Sequence, residues 1–313
     1  MAEITKVKTA NHDEWLKLRS QYIGGSDAAA VVGLNHFSSP YSLWAEKTGK
    51  VPGFAGNLAT EVGAYLEEFV AQKFAQETGK KVRKCNQSFL NSDYPFAIAN
   101  IDREIVGEDA GLEIKTTDSL NLKKFKGGEY PSNYYAQMVH YMAVTGKQRW
   151  YLAVLIGNKE FKWFTLDRDE DEINALMKAE AEFWELVKTN TAPAVDGYTP
   201  TTEALKTIYA EGNNDSVVAD LYSYSSDLEQ YMALKNQIKE LETMQDEIAN
   251  RIKEYLGEIS SGECERFFVS WKNQSRSTFD RKRFEKDNPD IDLSDYFKTS
   301  NARIFRVKEL KGE

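Results

Sequence analysis

Cysteine is nearly absent: Cys85 and Cys264 are the only two in 313 residues. Thiols so far apart in sequence supply neither a disulfide framework nor a cysteine-held metal or iron–sulfur cluster, so a reducing cytoplasm is the expected setting. Long apolar runs are also missing. No stretch reaches the length that spans a bilayer, and the opening Met1-Ala2-Glu3-Ile4-Thr5-Lys6 lacks the apolar centre of a secretory signal. No membrane partner is expected. There is no internal repeat and no low-complexity tract. Nor is there a basic excess, since 40 Lys and Arg stand against 49 Asp and Glu, a net charge of −9. That balance argues only superficially against nucleic acid, because the placement of the cations decides such binding. Three positive clusters occur: Lys80, Lys81, Arg83 and Lys84; Lys123, Lys124 and Lys126; Arg281, Lys282 and Arg283. Taken alone, each reads as solvated surface.

What is present describes an ordinary folded chain, 41% hydrophobic and 28% charged, long enough for a substantial core plus an appendage. Helical spacing predicts helices over 13–19, 26–33 with Ser26 as N-cap, 40–48, 59–78 ended by Gly79, 134–145 and 170–188. Strands are expected at 88–90, 97–106, 111–116, 149–156 and 161–166. The order helix, β-meander, helix, β-pair, helix predicts an α/β core with a mixed central sheet and helices on both faces. Pro193 and the polar run Asp196–Thr202 mark a linker, which divides a core at 1–200 from an extension at 201–313. Within the extension Leu234, Ile238, Leu241, Gln245, Ile248, Ile252 and Tyr255 recur in steps of four and three, the seam of a coiled-coil hairpin. Strands at 266–271 and 303–308 and a helix at 280–288 complete a small α+β module.

The densest chemistry lies in Gly111-Leu112-Glu113-Ile114-Lys115, one hairpin after Ile101-Asp102. Strand residues alternate faces, so Glu113 and Lys115 point the same way. If the turn 107–111 brings Asp102 alongside, two carboxylates and an ammonium converge. Paired carboxylates form a hard oxygen site for Mg²⁺ or Mn²⁺, and an adjacent lysine can orient or deprotonate an attacking water. The competing reading is a surface hairpin with ordinary ion pairs. Against it, Ala97–Ile101 is apolar enough for a central strand, where a charge needs a reason.

Further candidates surround this motif. Glu67 can reach a metal directly or through water, whereas Glu68 reads as helix surface. Gln137 shares a helix with His140 and Tyr141, which together can touch a nucleotide backbone; His140 lacks a second ligand at metal-binding spacing. Arg19 and Ser26 flank a glycine turn at a helix start, where backbone N–H groups and a guanidinium suit a phosphate.

Five ordered blocks over about residues 15–190 carry a resemblance: 23–30 with 39–49, Gly63–Glu67, Asn100-Ile101-Asp102, Leu112–Lys115, and Tyr135–Gln137 through Gly146. The chain resembles the YqaJ-type viral recombinase nucleases, relatives of phage lambda exonuclease in the PD-(D/E)xK superfamily. It has Asn100-Ile101-Asp102-Arg103 where Pro-Asp-Gly is usual, keeping the acid and changing the turn.

The resemblance implies a restriction-endonuclease-like core and a 5′→3′ exonuclease that digests one strand of linear duplex DNA, leaving 3′ overhangs for recombination by strand annealing. It implies Mg²⁺, with Mn²⁺ as substitute and two ions per site. Asp102, Glu113 and the Ile114 backbone carbonyl would hold them, with Glu67 in support. Lys115 would activate or position the water, Gln137 would lie close by, and Arg19 and Ser26 would receive the 5′-phosphate. A phage single-strand annealing protein is the implied partner and a homo-oligomer the implied assembly, the lambda-type enzyme being a ring-shaped trimer. The implied location is the bacterial host cytoplasm. Two alternatives stay open: an endonuclease of the same superfamily, and a non-catalytic DNA-end-binding assembly factor.

Overall fold

The computed structural model describes residues 3–212, 218–298 and 303–310; Met1 and Ala2 of the opening segment lie outside them. The chain divides into two units, one through Ala210 and one from Glu211. The first opens with β1 (Ile4–Val7), α1 (His12–Ser20), β2 (Ile23–Gly24), α2 (Gly25–Val31), α3 (Pro40–Lys47) and the long α4 (Leu58–Thr78). Next come β3 (Val82–Lys84), β4 (Ser88–Asn91), β5 (Ala97–Asn100), β6 (Arg103–Ile105) and β7 (Ala110–Thr117). Helix α5 (Ser132–Thr145), β8 (Arg149–Ile156), β9 (Glu160–Asp167), α6 (Glu170–Lys188) and α7 (Thr199–Ile208) complete it.

The mixed α/β class with a helix-flanked mixed sheet is as expected, and a second sheet stands beside it. The strands form a four-stranded sheet, β1-β4-β5-β2, and a five-stranded sheet, β3-β6-β7-β8-β9. The predicted strand over 97–106 breaks at Ile101-Asp102, so β5 belongs to one sheet and β6 to the other. Arg103 accounts for the break. Its side chain is 2% exposed, and its guanidinium donates to Glu67 and, at 3.0 Å, to Glu68 on α4. A buried cation has to be paired. Satisfying this one draws the chain toward α4 and out of line with β5.

Helices cover both faces of the five-stranded sheet. Val70, Ala71 and Phe74 of α4 pack on Leu112, Ile114, Tyr151 and Ala153. On the other face Met138, Val139 and Met142 of α5 pack with Trp150, Leu152 and Val154. Burying an aromatic such as Phe74 contributes roughly 1.5–3 kcal/mol. Strands β7 and β8 run parallel, with Glu113 opposite Leu152 and Lys115 opposite Val154. Opposed residues share a face, so both polar groups lie on the α5 side. Helix α4 ends as expected at Gly79, whose φ of 69° a residue without Cβ adopts freely.

The expected linker is partly helical. Pro200 sits in the first turn of α7, where its missing N–H costs nothing. Thr201 fastens that turn, pairing with the Ser39 hydroxyl at 2.7 Å and donating to Asp196 at 2.6 Å. The first unit therefore continues past residue 200.

The second unit holds α8 (Ser225–Leu256), a short antiparallel hairpin of β10 (Ser261–Glu263) and β11 (Phe268–Ser270), and α9 (Arg281–Asp287). The expected helical hairpin is corrected: after α8 the chain turns into β10, and the seam residues Leu234, Ile238, Leu241, Ile248, Ile252 and Tyr255 are exposed. Residues 303–308 pair with no strand among the described residues and remain irregular.

Candidate active site

The break at Ile101-Asp102 delivers Asp102 to the middle of β7. Its Oδ2 accepts the Ile114 N–H at 2.8 Å, one step beyond the last β6–β7 pair, Arg103 opposite Leu112. Glu113 is 2% exposed and its Oε1 accepts from two donors, Lys115 Nζ at 2.6 Å and Gln137 Nε2 at 2.8 Å. The Tyr141 hydroxyl in turn accepts from Gln137 Nε2 at 2.8 Å. The expected convergence of Asp102, Glu113, Lys115 and Gln137 is thus present, on the wall of a cavity of about 720 Å³.

The electrostatics of this cluster are unbalanced. Burial, and then the nearness of Glu113, pushes the Asp102 carboxyl well above the usual carboxylate range. Burial also raises Glu113, against the pull of Lys115. For Lys115 burial works downward, yet Glu113 and Asp102 hold it above the ordinary lysine value, so the ammonium keeps its proton. The second carboxylate oxygen of Glu113 is buried with no hydrogen-bond partner. A half-buried and a buried carboxylate beside one ammonium, with an orphaned oxygen, are the donor chemistry of a hard divalent cation. No group of three or more His, Cys, Asp and Glu side chains gathers for a metal among the described residues. Mg²⁺ needs only one or two carboxylates, with water completing its shell. Glu67 lines the same cavity, but its carboxylate is engaged by Arg103, with Lys84 Nζ 3.9 Å away.

Arg19 and Ser26 meet on the cavity wall, the guanidinium donating to the hydroxyl at 2.5 Å. The expected N-cap is corrected here. Helix α2 begins at Gly25 with Gly24 as its cap, because the Asp27 carboxylate accepts the Gly24 N–H at 3.0 Å. Ser26 is left free for Arg19. Asp27 is held by Lys47 Nζ at 2.8 Å, and the same ammonium donates to the Tyr22 carbonyl at 2.8 Å. Gly25 has to be glycine, since a Cβ there would stand 2.5 Å from the Tyr141 ring.

Several supporting residues carried no sequence signal. Asn100 accepts from the Trp15 indole at 2.9 Å and the Ser88 hydroxyl at 2.6 Å, tying α1 and β4 to the strand before Asp102. The Trp15 ring lies under the Arg19 guanidinium at 5.4 Å. Lys115 Nζ stands 5.4 Å from the centre of the Tyr134 ring. The Asn100 and Tyr134 contacts join residues distant in sequence. The expectation that His140 touches a nucleotide backbone is corrected: the ring is fully buried, with Nδ1 2.8 Å from Glu180 and Nε2 3.0 Å from the Ile98 carbonyl. Tyr141, by contrast, lines the cavity.

Among solved structures, the chain is similar to an alkaline exonuclease from Laribacter hongkongensis, at 18% identity over 57% of this chain and 94% of that one, TM-score 0.46. It is also similar to a phage-related exonuclease from Haemophilus somnus, at 12% identity over 56% and 99%, TM-score 0.41. A Bacillus subtilis (strain 168) protein, uncharacterized protein YqaJ, is 37% identical over 311 residues, covering 98% of this chain and 97% of that protein. The pattern of the YqaJ-like viral recombinase domain matches residues 14–148, a span that holds Arg19, Ser26, Glu67, Asp102, Glu113, Lys115 and Gln137. With near-complete coverage at that identity, the chain belongs to the YqaJ-like viral recombinase family.

Proposed function

We propose that this protein is a metal-dependent deoxyribonuclease that trims one strand of linear duplex DNA from its 5′ end. The observation that carries the reading is the gathering of Asp102, Glu113 and Lys115 on the wall of one cavity. Asp102, Glu113 and the Ile114 carbonyl would hold Mg²⁺, or Mn²⁺ in its place, with Glu67 in support; two ions per site are part of this reading. Bound there, the metal supplies Lewis-acid stabilisation of the charge that builds at phosphorus. Lys115 orients the attacking water and adds positive charge beside it. Gln137 fixes the Glu113 carboxylate through its amide.

Arg19 and Ser26 suit a terminal 5′-phosphate, the guanidinium supplying a charge-assisted fork and the hydroxyl a further donor. Digestion from that end leaves a 3′ single strand, the substrate of a phage-type annealing protein in the host cytoplasm. A homo-oligomer, with a trimeric ring as its closed form, is part of this reading. The test offers linear and covalently closed duplex with Mg²⁺. Release of mononucleotides from linear DNA alone is the expected result, and cutting of the closed circle would favour an endonuclease. Arg19→Ala should slow digestion of 5′-phosphorylated ends about tenfold. An equal loss on 5′-hydroxyl ends would contradict the phosphate role.

A further inference from the structure

Of the three positive clusters in the sequence, two are largely neutralised. Lys80 pairs with Glu108, Arg83 with Glu104 at 2.8 Å, and Lys84 lies 3.9 Å from Glu67. Arg281 pairs with Glu285 at 2.6 Å and Arg283 with Asp287 at 3.5 Å. Lys123, Lys124 and Lys126 are exposed and make no ion pair among the described residues. An acidic chain that leaves three cations uncompensated in four positions concentrates its positive field there.

Their placement links them to the catalytic face. They lie on the short 3₁₀ segment Ser119–Phe125 and its exit, directly after β7. Lys115 stands opposite Val154, and Val154 opposite Lys162. Lys162 therefore shares the face of Lys115, two strand spacings or ~10 Å away. Its ammonium donates to the Phe125 carbonyl at 2.9 Å. The Phe125 side chain is 2% exposed, its ring 6.4 Å from that of Tyr134, which in turn meets Lys115. The segment is thus pinned between its lysines, and the pin runs through the residues beside the site.

We infer that Lys123, Lys124 and Lys126 form a track for backbone phosphates of the DNA bound at the active site. This rests on the nuclease reading and extends the site beyond the scissile position. Exposed ammonium groups on an anchored segment take phosphates as point charges, so the track confers affinity without sequence preference.

The test measures binding of a short fluorescent duplex in EDTA, which keeps the DNA whole, across a series of salt concentrations. The variant carries Lys123→Gln, Lys124→Gln and Lys126→Gln. A control of equal charge carries Lys178→Gln, Lys188→Gln and Lys206→Gln, exposed positions on α6 and α7. The track variant should bind about 10²-fold more weakly at 0.1 M salt, with the salt slope reduced by up to about 2.7. Lys124→Gln alone should give about a third of that change in slope. A slope equal to that of wild type or of the control triple would overturn the inference. Failure of the wild-type protein to cut DNA would end the nuclease reading and leave these binding slopes readable.

Discussion

Asp102 and Glu113 are carboxylates that burial disfavours, set close enough to disfavour each other. Such an arrangement costs folding stability, and the cost is relieved by a proton or a cation. Asp102→Asn should therefore raise the urea midpoint of the protein in EDTA, because an amide oxygen can still accept the Ile114 N–H without repelling Glu113. A lower midpoint would show that Asp102 serves the fold instead. The alternation of Glu113 and Lys115 was legible because β7 has a period of two, and one hairpin is local enough to bring Asp102 to it. The corner formed by Trp15, Asn100 and Ser88 was not legible. It assembles from three separate elements, and no local pattern marks an asparagine as their common acceptor.

Helix α5 carries the site on one side and a buried ion pair on the other. Gln137 and Tyr141 serve Glu113, while His140 lies between Glu180 of α6 and the Ile98 carbonyl of β5. Both ring nitrogens face oxygen acceptors, so the ring is satisfied only when both carry protons. Burial works against that charge, but Glu180 and the Ile98 carbonyl raise the His140 pKa above its ordinary 6.5. Burial likewise raises Glu180. With proton affinity higher in the folded state, this stabilisation is complete below the ordinary histidine value and is lost as pH rises through the raised one. Urea unfolding should show stability falling from pH 6 toward pH 9. His140→Gln should flatten that fall and cost roughly 3–5 kcal/mol at pH 6, since Glu180 is left buried without its partner. An unchanged slope would contradict the assignment. Helices α4, α5 and α6 were legible from their apolar spacing. The split of the sheet was hidden because Arg103 acts through Glu67 and Glu68, some thirty-five residues earlier.

All seven proposed site side chains lie in the first unit, where the sheet break and the α5 face meet on one cavity. The second unit keeps an apolar seam exposed along α8, a pattern whose spacing was plain in the sequence although no hairpin partner follows among the described residues. At the scale of the whole molecule the proposed activity is hydrolysis at Asp102, Glu113 and Lys115. The most direct measurement follows release of mononucleotides from linear duplex with a labelled 5′-phosphate, with Mg²⁺ and in EDTA, for wild type, Asp102→Asn and Lys115→Ala. Wild type should digest the strand only with the metal, and each variant should lose about 10²-fold or more in rate while remaining folded. Digestion in EDTA, or near-normal turnover by either folded variant, would contradict it.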